Sequence, residues 1–265
     1  EHEAETKHGG SVPAVASKAS FACGRDYAME TDRQAHWRHP GTALHYARAA
    51  MQVGLWASER CLIEEAWVKD ARLLELGCGA GRVGLGLLRL GYHELTVTDF
   101  SPTMVDMAKG VLGEVEPSWA DHVEVADACA LPYADETYDG VIFAFNGLMC
   151  MRGQADRDRA LPEIRRVLKP GGVFLFTAND RAAGEHQAHW SNEPTLPGCQ
   201  PGDRWHETDS TPVFMHSSTE AETRAELTAA GFRVRKCPLR SEVTAENAAV
   251  RAFAGETRFY VAERV

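Results

Sequence analysis

The chain has 265 residues, of which 44% are apolar, so it is long enough and apolar enough to fold around a sizeable core. Its 28 Lys and Arg are outnumbered by 38 Asp and Glu, and the net charge of −10 argues against a general nucleic-acid-binding protein, because a phosphate backbone requires a positive surface. The longest apolar run, residues 141–151, is too short to span a bilayer, so no membrane span is predicted.

The N-terminal part of the chain divides into a tail and a helical segment. Residues 1–20 are rich in small and charged residues without a hydrophobic period, and we predict a flexible tail there rather than a signal peptide. Helical spacing of apolar residues, including Leu44 and Met51, begins after Pro40. One or two helices are therefore expected before the first strand.

From residue 71 onward, short apolar strands alternate with helices. Five strands are predicted, at residues 71–76, 95–98, 122–126, 138–145 and 173–178. Helices are predicted between them, at residues 82–90, 101–109 and 156–168. The sequence from Lys169 to Gly172 is typical of a turn and is predicted to end the last of these helices.

The hydrophobic period is lost at residues 179–215, which contain four prolines and two tryptophans. A helix is then predicted at 219–230 and two closing strands at 232–237 and 259–262. Strands and helices that alternate with connections of this length form right-handed βαβ units. The fold class is therefore α/β, with a Rossmann-like, doubly wound, mostly parallel seven-stranded sheet and a C-terminal antiparallel hairpin.

Three features are predicted to meet at the carboxyl edge of this sheet, where open α/β sheets bind ligands. The glycine-rich turn Gly77–Gly81 lets backbone N–H groups approach a ligand at a helix N-terminus. Asp99 closes the second strand, where a carboxylate can accept the hydroxyls of a ribose. Asp127 and Ala128 follow the third strand, where a carboxylate and a backbone N–H can bind an adenine edge. A ligand that contains a nucleoside satisfies all three.

The glycines alone leave the identity of that ligand open. Residues 79–84 also match the pattern G-x-G-x-x-G of nicotinamide-dinucleotide enzymes. That alternative begins two residues late, leaves Gly77 unexplained and gives Glu75 and Asp127 no role. A second alternative is that the glycines only form a tight turn between a strand and a helix.

Four motifs, in this order along the chain, resemble the class I S-adenosylmethionine-dependent methyltransferases. They are L-L-E-L-G-C-G-A-G-R at 73–82 and the segments 97–104, 127–139 and 164–172. The resemblance is nearest to the broad group that includes ubiquinone/menaquinone-type and natural-product methyltransferases. It implies S-adenosylmethionine as the cofactor and S-adenosylhomocysteine as the product, and it is silent on the substrate.

The resemblance also implies which residues hold the cofactor. Glu75 and the glycine turn would hold the methionyl end, Asp99 the ribose, and Asp127 with Ala128 the adenine. Arg82 would meet the cofactor carboxylate. The implied cofactor-binding residues are Glu75, Gly77, Cys78, Gly79, Gly81, Arg82, Asp99, Phe100, Met104, Asp127, Ala128 and Asn146. For Met104, ordinary helix packing is an equal alternative.

The resemblance suggests the following division of the chain. Residues 21–265 would form a single methyltransferase domain. Within it we expect an N-terminal helical cap at 21–70, a cofactor-binding core at 71–178, an irregular substrate-side insertion at 179–216, and the final helix and strands at 217–265.

No catalytic residue is assigned from the sequence. Methyl transfer from a sulfonium is an in-line displacement, and a base helps only when the acceptor carries a proton. The candidate bases are His39, His186, His189 and His206, and for each of them a solvated loop position is the favoured alternative. The candidate residues of an apolar or aromatic substrate pocket are Tyr27, Trp37, Trp190 and Trp205.

The remaining patterns narrow the acceptor class. The residues after the fourth strand, 145–148, lack the Asn/Asp-Pro-Pro-aromatic pattern of nucleobase amino methylation. No metal site is predicted, because Asp180 is the single carboxylate near the ends of strands four and five. We predict methyl transfer to an oxygen or nitrogen, ahead of carbon, of a small molecule. The alternatives are a nicotinamide-dependent oxidoreductase and a catalytically silent S-adenosylmethionine-binding partner subunit.

The seven cysteines are dispersed, and no two of them lie closer than 17 residues. This spacing excludes a Cys-x-x-Cys zinc or redox motif. We therefore expect seven reduced thiols in a cytosol-like compartment and a cytoplasmic enzyme.

Overall fold

The structure is a computed structural model that describes residues 35–145, 147–151, 153–183, 187, 199–206, 208 and 212–265. Among these residues, no helix combines the length and the apolar character needed to cross a membrane.

Three helices precede the first strand in the described part of the chain: α1 (Ala35–Arg38), α2 (Pro40–Gln52) and α3 (Ala57–Ala66). Pro40 lies in the first turn of α2, where its missing N–H leaves no hydrogen bond unmade. The Glu59 carboxylate accepts the Trp56 N–H at 2.8 Å and so caps the first turn of α3.

One sheet of seven strands organises the molecule. Its strands are β1 (Leu73–Glu75), β2 (Leu95–Asp99), β3 (Val123–Val125), β4 (Tyr138–Phe143), β5 (Leu168–Ala178), β8 (Phe232–Lys236) and β9 (Arg258–Arg264). The strand order is β3-β2-β1-β4-β5-β9-β8. The first five strands are parallel, and β9 is antiparallel to both β5 and β8. This arrangement confirms the predicted fold class and places the topological switch point between β1 and β4.

Helices cover both faces of the sheet. They are α4 (Arg82–Arg89), α5 (Pro102–Val115), α6 (Gly153–Val167), α7 (Glu220–Ala229), α8 (Arg240–Val243) and α9 (Ala248–Phe253), with 3-10 turns at Pro117–His122 and Leu148–Cys150. Consecutive β1 residues Leu73 and Leu74 are both fully buried, but in separate apolar clusters. Neighbours in a strand point to opposite faces, so each face of the sheet carries its own core.

Two elements differ from their predicted bounds by five residues or more. Helix α5 continues past Lys109 to Val115, because its apolar spacing continues to the fully buried Leu112. Strand β5 begins at Leu168 instead of residue 173, so the predicted turn lies inside its bounds. Its pairing with β4 is irregular there, and Gly171 has a φ of +75°.

The stretch predicted to be irregular contains a two-stranded sheet. Strands β6 (Asp203–His206) and β7 (Val213–His216) pair antiparallel. The buried His216 ring interacts with the Asp203 carboxylate at 2.7 Å and with the Ser218 hydroxyl at 3.0 Å. Because polar partners such as these replace apolar residues, the hydrophobic alternation that predicts strands is absent.

The cysteines also correct a prediction. Cys61, Cys78, Cys129, Cys150 and Cys237 are free thiols. Cys199 is disulfide-bonded, so the expectation of seven reduced thiols is wrong for this residue. Disulfide formation depends on which cysteines the fold brings together, and the spacing along the chain does not report this.

Candidate cofactor-binding site

A cavity of about 210 Å³ lies at the carboxyl ends of the central strands, next to the switch point. The loops after β1, β2, β3 and β4 contribute to its lining, and Trp37 and Tyr46 from the N-terminal helices complete it. A ligand site at this edge is what the doubly wound topology leads one to expect.

The glycine turn can approach the cavity closely because three of its five residues are glycines. Gly77, Gly79 and Gly81 have φ values of +60°, +54° and +85°, a region that other residues rarely adopt. A Cβ atom on Gly77 would lie 2.6 Å from the Phe143 ring, and one on Gly81 would lie 2.5 Å from Leu112. Gly77 and Gly79 line the cavity, whereas Gly81 allows α4 to pack closely against α5.

Asp99 connects the second strand to this turn. One carboxylate oxygen accepts the Gly79 N–H at 2.9 Å, and the other accepts the Ser101 N–H at 2.9 Å. The residue is 5% exposed, and burial raises its pKa to about 6. Each carboxylate oxygen has a second lone pair, so Asp99 can still accept hydrogen bonds from a ligand in the cavity.

Glu75 is the buried acid at the base of the cavity. Its side chain is almost fully buried, and its Oε2 atom has no hydrogen-bond partner among the described residues. Burial raises the pKa of Glu75 to about 8, although Arg82 acts in the opposite direction. Unsatisfied buried polar atoms are rare in folded proteins. Oε2 itself lies beside Gly84, and Glu75 as a residue lines the cavity next to the glycine turn.

The segment after β3 forms a further part of the lining. Asp127 is exposed, and its carboxylate accepts the Cys129 N–H at 2.9 Å. Ala128 follows it and is buried at the cavity. A free carboxylate oxygen and a neighbouring backbone group therefore lie on one side of the cavity, as an adenine edge would require.

Arg82 lines the cavity and is held by an ion pair. Its guanidinium donates to both oxygens of the Glu59 carboxylate, at 2.7 and 2.6 Å, and to the Gly54 carbonyl at 2.9 Å. It also lies over the Trp56 ring. These bonds use three of the five N–H donors, and the contact of Arg82 with the cofactor carboxylate stays a prediction.

The structure does not bring every expected residue to the cavity. Phe100 and Cys78 line it, as does Trp37. Met104 is fully buried in helix packing, which was the alternative for this residue, and Trp205 packs against Phe214 in the β6–β7 hairpin. Neither residue lines the cavity.

Two of the histidines that were candidate bases also lie away from the cavity. The His39 ring accepts the Gly41 N–H at the start of α2, and His206 lies on β6, so neither lines the cavity. Other expected residues lie outside the described part of the chain: Tyr27, Asn146, His186, His189 and Trp190.

Several residues that line the cavity, or that hold a lining residue, were not predicted from the sequence, and three of them show why. Tyr46 lies 3.6 Å from the point where a Cβ of Gly79 would be, and burial raises the pKa of its phenol. Phe145 has a φ of +46°, with its N–H bonded to the Thr177 hydroxyl at 2.8 Å. Glu59 pairs with Arg82 across 23 residues of sequence. No local pattern marks these residues, because each acts through a contact between distant segments.

Comparisons with known proteins agree with the sequence motifs. A family model described as "Methyltransferase domain" matches residues 74–176. The ubiquinone/menaquinone biosynthesis C-methyltransferase UbiE of Acidiphilium cryptum is 39% identical over 103 residues, which cover 39% of this chain and 40% of that protein. The malonyl-[acyl-carrier protein] O-methyltransferase of Geobacter sulfurreducens is 33% identical over 199 residues, which cover 74% of this chain and 68% of that protein.

The matches cover different shares of the proteins compared. The chain spans 40%, 56% and 41% of the lengths of three UbiE proteins that it matches. Among solved structures, the CcbJ methyltransferase of Streptomyces caelestis has a TM-score of 0.63 at 18% identity and covers 89% of this chain and 100% of that one. At this identity the likeness reports the fold.

Proposed function

The chain belongs to the class I S-adenosylmethionine-dependent methyltransferases, and from this premise we propose that it transfers the methyl group of S-adenosylmethionine to a small-molecule acceptor. The observation that carries the proposal is the cavity at the switch point, which Glu75, Asp99 and the left-handed Gly77 line together. A donor-rich ligand with a ribose satisfies these groups together.

The lining residues fit the cofactor from one end to the other. Glu75 and the backbone of Gly77 and Gly79 would hold the methionyl end, because all three residues line the cavity. Asp99 would accept the ribose hydroxyls on its free lone pairs. Asp127 would accept a hydrogen bond from the adenine amino group. Every assignment follows from a lining residue and its unused hydrogen-bonding capacity.

The contribution of the chain to the chemistry is to orient the reactants and exclude water. When bound, S-adenosylmethionine supplies a methyl group on a positively charged sulfur, which a nucleophilic lone pair can displace. Backbone groups of the glycine turn and side chains of the lining can orient the reactants. Trp37 and Tyr46 line the cavity with aromatic side chains, which limit the contact of the reactants with water.

The acceptor side of the cavity is apolar. Phe143, Phe145 and Met151 line it near the end of β4, together with Trp37 and Tyr46 from the helices. These side chains suit a small apolar or aromatic molecule. We propose oxygen or nitrogen as the attacking atom. Carbon is the alternative to test, since relatives named C-methyltransferases are among the matches.

The two alternative functions make different demands on the site. A nicotinamide enzyme with its motif at residues 79–84 leaves Gly77 without a purpose, yet Gly77 has a left-handed φ and a Cβ there would meet Phe143. A silent binding subunit would bind the cofactor without turnover. The first alternative is tested by ligand binding and the second by transfer of the methyl group.

Calorimetric titration with S-adenosylmethionine, S-adenosylhomocysteine and NADH, each alone, tests the cofactor. We expect heat from both S-adenosyl ligands and none from NADH, whereas binding of NADH alone would overturn the proposal. Methyl-labelled S-adenosylmethionine and a panel of phenols, amines and activated ring carbons then test transfer. Label in a product supports turnover, whereas cofactor binding without transfer to any class of acceptor supports the silent subunit.

A further inference from the structure

Phe145 is held in an unusual backbone conformation at the wall of the cavity. It follows β4 and lines the cavity, and its φ of +46° lies in the left-handed region, which residues with a Cβ atom rarely adopt. Strained residues of this kind cluster at functional sites and persist only where the surrounding structure holds them. The residues that hold Phe145 therefore act on the site, even where they do not reach the cavity.

Contacts from three other segments hold Phe145 in place. Its N–H donates to the hydroxyl of Thr177, a buried residue of β5, at 2.8 Å. The centre of its ring lies 5.5 Å from that of Trp56, edge to face, and 5.0 Å from that of Phe253. Aromatic pairs at these distances attract each other beyond the area that they bury. Both the backbone and the ring of Phe145 are thus fixed.

Phe253 connects this wall of the cavity to the N-terminal helices. It is the last residue of α9 and does not itself line the cavity. Its ring also stacks on that of His45 in α2, with centres 6.0 Å apart and planes within 21°. The next residue of α2, Tyr46, lines the cavity. Phe253 therefore lies between the residue that forms one wall and the helix that contributes another.

The His45 ring is suited to this contact. Burial, with a smaller contribution from the charge of Arg48, lowers the pKa of His45 below its ordinary value. The imidazole that stacks on Phe253 is therefore neutral at neutral pH, and the stacking does not require a charge to be desolvated.

We propose that Phe253 is a positioning residue for the methyl acceptor. By packing on Phe145 it keeps that ring at the cavity, against the group that the acceptor places beside its reacting atom. By packing on His45 it holds α2 at a fixed place relative to the same wall. The inference rests on the proposed methyltransferase function, and it extends the acceptor site to a residue outside the cavity.

The test uses two cofactor analogues that place a group where the acceptor would lie. In both probes a nitrogen replaces the sulfur of S-adenosylhomocysteine, and it carries either a methyl or a benzyl arm. Calorimetry measures the two dissociation constants, and their ratio measures the contact of the benzyl ring with the wall that Phe145 forms. In the wild-type chain we expect the benzyl arm to bind about threefold or more tightly than the methyl arm.

Two single variants and their combination test whether Phe253 acts through Phe145. Phe253→Leu removes the ring that packs on Phe145, and Phe145→Ala removes the ring at the cavity. We expect each variant to reduce the preference for the benzyl arm by about threefold, with the affinity for the methyl arm unchanged within about twofold. In the double variant we expect no loss beyond that of Phe145→Ala, because changes that remove the same contact are not additive.

Conservative and distant variants serve as controls. Phe253→Tyr keeps the ring and should keep the wild-type preference. Phe214→Leu removes a phenylalanine ring from the β6–β7 hairpin, outside the cavity, and should leave both affinities unchanged. Phe253 is only partly buried, so we expect its variants to fold. If Phe253→Leu does not fold, Phe253→Met, with its longer and more adaptable side chain, replaces it in the same cycle.

A benzyl arm that binds no more tightly than the methyl arm to the wild-type chain overturns the inference. So does an unchanged preference in a folded Phe253→Leu or Phe253→Met chain, or losses that add in the double variant. An equal loss of affinity for both arms assigns Phe253 a purely structural role and also overturns it. S-adenosylhomocysteine is titrated first: if it does not bind, the proposed function itself is contradicted, which distinguishes the two failures.

Discussion

The Asp99 carboxylate accepts the backbone N–H of Gly79 at 2.9 Å, so the acid at the end of β2 holds the glycine turn that follows β1. Asp99 thus holds the glycine turn, and we propose that it also binds the ribose of the cofactor. A substitution at Asp99 removes both interactions.

We expect Asp99→Ala to weaken S-adenosylmethionine binding by about 1–3 kcal/mol, the usual loss when a buried polar group is left without its hydrogen-bonding partner. Calorimetry measures the change. Asp106→Ala, at an exposed position of α5 outside the cavity, is the control and should bind as the wild type does. Unchanged affinity in Asp99→Ala would contradict the assignment of Asp99 to the ribose.

Glu75 should make the stability of the ligand-free protein depend on pH. Its pKa is raised to about 8 in the folded chain, above the value of an unfolded Glu, so the folded state binds the extra proton. Stability is therefore lost as the pH rises from the unfolded pKa through about 8. We expect Glu75→Gln to unfold at a higher urea concentration than the wild type, with an advantage that grows from about pH 5.5 to about pH 8.5.

The same variant should bind S-adenosylmethionine more weakly, because the substitution replaces one acceptor-only carboxylate oxygen with an amide group that donates. Stability measured by urea unfolding and affinity measured by calorimetry should thus change in opposite directions. A pH-independent difference in stability between variant and wild type would show that Glu75 does not titrate in this range.

Gly77 is constrained both by its backbone conformation and by the space that it leaves. Its φ is +60°, and a Cβ atom would lie 2.6 Å from Phe143. We expect Gly77→Ala to lower the free energy of unfolding by about 2–4 kcal/mol and to weaken cofactor binding. Gly54→Ala separates the two effects, because Gly54 has a φ of +66° and nothing within 4 Å of its Cβ position.

The Gly54→Ala variant should therefore show only the backbone part of the loss, about 1 kcal/mol, with unchanged cofactor affinity. Thermal or urea unfolding measures both variants. Equal losses in the two would mean that Phe143 moves aside and that the close approach of Gly77 is not a constraint.

The Asp203–His216 pair should stabilise the β6–β7 hairpin. Both residues are buried, and the His216 hydrogen bond holds the pKa of Asp203 below its usual range despite the opposing effect of burial. We expect Asp203→Asn to lower the free energy of unfolding by about 1–3 kcal/mol at about pH 7. Because the folded pKa is depressed, this contribution is lost as the pH falls through it.

Urea unfolding at about pH 7 and at about pH 3 tests this sign. The difference between wild type and Asp203→Asn should shrink at the lower pH, whereas Asp121→Asn, at an exposed position, should have little effect at either. A difference that persists undiminished at the lower pH would assign the loss to packing instead of charge.

The sequence predicted the sheet well because its strands are apolar runs between clear turn residues. Tyr138–Phe143 and Leu95–Asp99 are buried on both sides of a parallel sheet, and such strands read as continuous apolar segments. The hairpin strand Asp203–His206 was missed because the buried Asp203 interrupts the apolar alternation. Local periodicity cannot show that the His216 ring of the paired strand interacts with the Asp203 carboxylate.

In the cofactor site, too, the sequence predicts residues that the topology places and misses contacts that depend on packing between distant segments. Glu75, Asp99 and Asp127 stand at strand ends, where the topology alone brings them to one edge. The engagement of Arg82 by Glu59 depends on how α3 packs against the glycine turn. A sequence motif gives the position of Arg82 but not its partner, so the Glu59–Arg82 ion pair could not be predicted from the sequence.

A crystal structure of the chain with S-adenosylhomocysteine tests most directly whether this cavity binds the cofactor. We expect the ligand in the cavity at the β1–β4 switch point, with its ribose hydroxyls on Asp99 and its adenine beside Asp127. A ligand bound elsewhere, or bound in this cavity without a contact to Asp99, would contradict it.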